Sequence, residues 1–152
     1  MPQEIASATP SMRSEIITRA KQAATALASS RPTEDQAAME GKRLLGSYPH
    51  AKPADPQGYA LAISVVLQAY PLDVVRQCCD PRTGLARTRE FTPTVASIVE
   101  WCDRRVRQHE GAVIHGKLEQ AKISEERFTP EHRLSMLERL KGLWTSLKEV
   151  TQ

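Results

Sequence analysis

The chain is poor in the residues that staple, cradle or span. Its three cysteines are the adjacent pair Cys78 and Cys79 and the distant Cys102. That is no even, spaced framework of the kind that holds small secreted domains together, so a reduced, cytoplasmic setting is expected. Seven glycines are scattered and never gather into a phosphate-cradling loop, which excludes ATP hydrolysis by this chain alone. No run of about 18 apolar residues occurs, and the opening MPQEIASATPSMRSE has no apolar core of signal-peptide length. Neither membrane spanning nor secretion by that route is expected.

Catalytic patterns are missing as well. There is no GxSxG elbow and no HExxH helix. His109 and His115 are spaced to lie on different faces of a helix, and Cys102 with His109 makes only a lone pair. Thiol chemistry at Cys78 or Cys79 would need a lowered pKa, and buried, inert cysteines are the simpler reading. The expectation is therefore no enzyme, no catalytic residue, no metal and no cofactor.

What is present is an ordinary helical composition. The 152 residues are 40% hydrophobic and 26% charged, enough for a workable core, and with aromatics at 5% that core must be mostly aliphatic. Alanine, leucine, glutamate, arginine and glutamine abound, and no alternating valine/isoleucine run argues for sheet. The fold class expected is all-α: a compact multi-helix bundle with a long helix after Thr92 and a C-terminal amphipathic helix. Residues 1–10 read as a loose lead-in, 11–123 as a helical domain, and 124–152 as the C-terminal helix, docked or partner-binding.

Punctuation divides the chain into helices. From Ser11 or Ser14, residues Ile16, Ile17, Ala20, Ala23, Ala24 and Leu27 form a thin stripe that ends before Pro32. Thr33 with Gln36 is a capping-box pattern, and the helix it starts should stop at Gly46. Asp55-Pro56 opens another, whose apolar residues from Tyr59 to Ala69 lie on nearly every side and imply the centre of the core. Tyr70-Pro71 breaks it, and Pro71 is placed to open a short helix through Cys79. Asp80 to Gly84 is a turn, and Leu85 to Phe91 a connection that could form a short hairpin.

Thr92-Pro93 reads as a further cap, followed by the stripe Val95, Ile98, Val99, Cys102 and Val106, with Trp101 off that line. This helix can extend to Ile123, with a bend or break allowed at Gly111 or Gly116. Thr129-Pro130 repeats the cap design. Beyond it Leu137, Leu140, Trp144 and Leu147 alternate steps of three and four, a seam for packing on another helix. The seam can dock on the protein's own core or engage a partner.

The formal charge of +3 is mildly basic, so its distribution decides what it means. Between residues 82 and 107, six arginines face Glu90, Glu100 and Asp103, an excess of three positive charges. Arg82, Arg87, Arg89, Arg104 and Arg105 are the candidates for contact with nucleic acid or an acidic partner. A solvated helix face would look the same in sequence.

The order Leu44-Leu45-Gly46-Ser47-Tyr48-Pro49, an apolar helix, then Phe91-Thr92-Pro93-Thr94 with Ile98 resembles the small phage replicative-helicase loader/inhibitor family, over roughly residues 36–103. The resemblance implies a compact helical part followed by a less ordered C-terminal part that contacts the helicase. It implies a non-catalytic adaptor that binds a hexameric replicative helicase, holds its ATPase in check and delivers it to a replication initiator on phage DNA. Two other readings fit the residues: a small DNA-binding regulator that uses a recognition helix after Phe91-Thr92-Pro93, and a phage interaction protein that blocks host or competing machinery.

Overall fold

The computed structural model describes residues 9–50, 53–127 and 129–150. Of the expected lead-in over residues 1–10, all but Thr9 and Pro10 lie outside them. Seven helices and no strand occur among the described residues, so the fold is all-α. They are α1 (Pro10–Ala28), α2 (Glu34–Gly46), α3 (Pro56–Leu67), α4 (Leu72–Cys79), α5 (Leu85–Thr88), α6 (Val95–Arg127) and α7 (Pro130–Val150).

The ends of α2 and α3 follow from local chemistry. The Gln36 N–H donates to Thr33 Oγ1 at 3.3 Å while the Thr33 N–H donates to Gln36 Oε1 at 3.0 Å, so two otherwise orphaned donors satisfy each other's residues. At α3 the Asp55 carboxylate accepts from the Gly58 N–H at 2.9 Å, with Pro56 in the first turn. The stop of α2 falls at Gly46, as expected. Gly46 stays helical, and the Ser47 and Tyr48 N–H groups tighten onto the Leu44 and Leu45 carbonyls, which carries Tyr48 into the core.

Proline cannot cap α4, because it has no side-chain acceptor to offer. Pro71 sits at the N-cap rather than inside the helix, and the capping groups come from the far end of α1. The Leu72 N–H donates to the Ser30 carbonyl at 2.9 Å, and the Asp73 N–H donates to Ser29 Oγ at 3.1 Å. Ser29 thus joins two helices distant in sequence. Ser29→Ala is expected to lower stability by about 1 kcal/mol, the usual cost of a lost cap, readable as a shift in the urea midpoint with an unchanged slope.

The core lies among α2, α3, α4, α5 and the first turns of α6. Ala37, Leu44, Ile63, Leu67, Val74, Val75, Cys78, Cys79, Ile98 and Cys102 are fully buried there, with Leu85 and Tyr48 closing it. Burying side chains of this size is worth about 1.5–3 kcal/mol for each large aliphatic one. Trp101, off the predicted stripe, packs half-buried against the same cluster. Contact with Cys102 and Cys78 holds the Cys78 and Cys79 thiols well above their ordinary range, with burial adding to the effect, so neither is a poised nucleophile.

Four sequence expectations are corrected. First, α3 is not the centre of the core: Ile63, Ser64 and Leu67 are buried, whereas Leu61 and Val65 face water because α2 and the start of α6 cover only one side of it. Second, the connection after Gly84 forms the short helix α5 rather than a hairpin. Third, α6 is capped by Thr94 instead of Thr92-Pro93. Thr94 Oγ1 accepts from the Ser97 N–H at 3.2 Å, while Pro93 is buried and its carbonyl accepts from the Tyr59 hydroxyl. Fourth, α6 extends past Ile123 to Arg127, and it runs through Gly111 and Gly116, where the sequence left a break open, without one.

The reason α6 persists is α1. The two helices run antiparallel, with Arg13 near one end bonded to Glu126 at 2.7 and 2.9 Å and Ala20 against Gly116. Ala23 and Ala26 are buried, Ile16, Ile17, Ala20 and Leu27 are half-buried, and Ala24, expected in the stripe, is exposed. Small residues on both sides let the backbones come close, which compensates for the thinness of the apolar stripe. At the α3–α4 corner the Tyr70 hydroxyl donates to Asp103 Oδ1 at 2.8 Å, fixing the core to α6. Burial and that carboxylate push the phenol well up.

Candidate functional site

Two surfaces stand out, and they lie on different parts of the molecule. The first is α7. Thr129 begins it as expected, its Oγ1 accepting from the His132 N–H at 3.4 Å and its carbonyl from the Arg133 N–H at 3.0 Å. His132, in the first turn, borders a cleft of about 560 Å³ with Arg13, Ile17, Ile123 and Glu126. Farther along, the seam does not dock on the protein's core. Leu137 is 53% exposed, Leu140 58% and Trp144 67%, with Leu134 and Met136 similarly open. The Leu147 side chain lies outside the described residues.

An apolar stripe left in water on a helix otherwise carrying Glu131, Arg133, Glu138 and Arg139 is what a partner-binding helix presents. Spacing alone shows which residues align on a face, and it cannot show whether another part of the chain covers them. Ile114 and Leu118 on the outer side of α6 are also more than half exposed, which the sequence pattern did not single out.

The second surface is the arginine connection, and the five predicted residues divide there. Arg89 and Arg104 converge on one carboxylate: Arg104 Nη2 lies 2.7 Å and Arg89 Nη2 3.7 Å from Glu100. They line a cleft of about 230 Å³ with Trp101, Thr88 and Ser97. Arg87 donates to the Arg82 carbonyl at 3.4 Å, so both belong to the neighbouring turn. Arg105 is set apart, half-buried and donating to Gln77 Oε1 at 2.6 Å, which ties α6 to α4. His109 Nε2 reaches the same oxygen at 3.3 Å, and burial, with Arg105 nearby, lowers its pKa.

Sequence reasoning passed over the other side of this connection. Phe91 is 81% exposed and borders a cleft of about 150 Å³ with Tyr48, Pro49, His50 and Glu90. Tyr48 is buried, its hydroxyl has no hydrogen-bond partner, and burial raises its pKa. Phe91, two residues along from Arg89, was the available signal, and residues 90 and 91 form a bend there.

Among the described residues no group of three or more His, Cys, Asp or Glu side chains could hold a metal ion, and no helix is long and apolar enough to cross a membrane. Comparison with family models, with curated proteins and with solved structures yields no match.

Proposed function

We propose that this chain is a non-catalytic adaptor that engages a protein partner through α7, and that the partner is a replicative DNA helicase which it loads or holds in check. The observation that carries the reading is the row Leu134, Leu137, Leu140 and Trp144, each more than half exposed on one helix. Leaving that much apolar surface in water is unfavourable unless it is covered in a complex, at roughly 25 cal/mol for each Å² removed from water. The resemblance over residues 36–103 supplies the class of partner. It implies a less ordered C-terminal part, whereas residues 130–150 are one helix, a form in which less ordering entropy is lost on binding.

The test is titration of a phage-type replicative helicase hexamer with the full chain, followed by calorimetry. Association at micromolar concentration or tighter is expected. Trp144→Ala and the pair Leu137→Ala with Leu140→Ala should each weaken it by about 30-fold or more, as buried anchors do, while leaving the thermal midpoint unchanged because these side chains are exposed. No association at micromolar concentration in low salt would sink the helicase reading.

A further inference from the structure

We propose that the connection between α5 and α6, together with the first turns of α6, binds single-stranded nucleic acid. Two clefts lie along it: Arg89 and Arg104 gather around Glu100 in one, and Phe91 lines the other with His50, Pro49 and Glu90. In the first, two guanidinium groups share a single carboxylate, so that cleft carries one net positive charge, while Glu90 lines the second. Arg89, Arg104 and Glu100 are all more than half exposed, and exposed pairs of this type contribute little, so a phosphate can draw an arginine away from Glu100 at small cost.

Phe91 selects the kind of polyanion. In a chain with 5% aromatics, a phenyl ring 81% exposed two residues along from Arg89 is a ready face for a base, and base–aromatic stacking adds affinity with little regard to sequence. A duplex presents phosphates to the arginines but keeps its bases stacked on one another. An acidic peptide satisfies the arginines and leaves Phe91 in water. Single strands satisfy both. A further unclaimed donor, the buried Tyr48 hydroxyl, lies at the same cleft as Phe91 and within electrostatic reach of Arg89.

This surface is separate from α7, so it stands or falls independently of the helicase reading. The experiment is fluorescence anisotropy of the full chain with a labelled, mixed-sequence single-stranded oligodeoxynucleotide of about 20 nucleotides, a length that covers such a site. Binding should weaken with salt, with a log–log slope of about −2 for some three phosphates. Phe91→Ala should lower affinity about tenfold with no change in thermal midpoint. Arg89→Gln with Arg104→Gln should lower it further and flatten the slope by about 1.4. No binding at low salt overturns the proposal. So does unchanged affinity in Phe91→Ala, equally tight binding of a duplex of the same sequence, or equal competition by polyglutamate.

Discussion

Replacing Gly84 with alanine is expected to destabilise the protein by about 3 kcal/mol, or somewhat more, which is the upper range for forcing atoms into a filled space. A Cβ at this position would stand 2.2 Å from the Cys78 carbonyl oxygen, 2.5 Å from that of Gln77 and 2.6 Å from that of Asp80. All three are backbone atoms at the end of α4, so no side chain can rotate aside. The backbone at Gly84 is extended, with φ −88°, so the requirement is close approach and not a left-handed conformation. The Gly84 N–H donates to the Asp80 carbonyl at 2.8 Å, closing the turn, and the next residue, Leu85, is 2% exposed and anchors α5 in the core. Moving the turn outward therefore also withdraws Leu85. For a chain of this size the expected fall in thermal midpoint is roughly 10 °C. A wild-type midpoint would mean that the end of α4 gives way freely. Because the same turn carries Arg82 and precedes Arg87 and Arg89, Gly84→Ala should also weaken oligonucleotide binding, unlike Phe91→Ala, which leaves stability intact.

Local chemistry was legible in the sequence wherever a side chain caps its own helix. Thr33, Asp55 and Thr129 each cap through an N–H only three positions on, that of Gln36, Gly58 and His132, and each cap forms in the structure. The all-α class followed from composition and from the lack of an alternating valine/isoleucine run. Thr92-Pro93 failed for a related reason: Thr94 is an equally good cap two residues later, and Pro93 is taken up by burial and by the Tyr59 hydroxyl from α3. A tertiary contact decided between two caps of equal local merit.

Coverage was not legible. The apolar residues of α3, on nearly every side, and the narrower seam of α7 were both open to burial from sequence, yet α3 contributes Ile63 and Leu67 to the core while Leu137, Leu140 and Trp144 stay exposed. Helical periodicity assigns residues to a face, and only the chain's full path determines what lies opposite that face. The arginines illustrate the same limit. Arg105 and Arg104 are neighbours in sequence, but α6 turns Arg105 toward Gln77 of α4 and Arg104 toward Glu100 and the solvent. Distance along the chain likewise hid the use of Ser29 as the cap of α4.

The two glycines within α6 should respond to alanine with opposite signs, although they looked equivalent as places where a helix could bend. At Gly111 a Cβ meets nothing within 4 Å, so Gly111→Ala is expected to stabilise by up to about 1 kcal/mol through helix propensity alone. At Gly116 the Cβ would stand 2.1 Å from Ala20 Cβ, with Ala20 Cα at 3.6 Å and the Ile16 carbonyl oxygen at 3.7 Å. Both methyls are fixed to helix backbones, so α1 must move away from α6. That movement loosens the burial of Ala23 and Ala26 and the pairing of Arg13 with Glu126. The same propensity gain is then outweighed by an overpacking cost of about 1–3 kcal/mol, and Gly116→Leu should cost more. Urea unfolding followed by circular dichroism gives the signs. Hydrogen exchange locates the effect, because in Gly116→Ala the α1 amides should lose protection while those of α2 and α4 keep theirs. If both alanine variants stabilised, the close approach of α1 to α6 would be wrong, and the continuity of α6 past Gly116 would need a cause other than the helix packed against it.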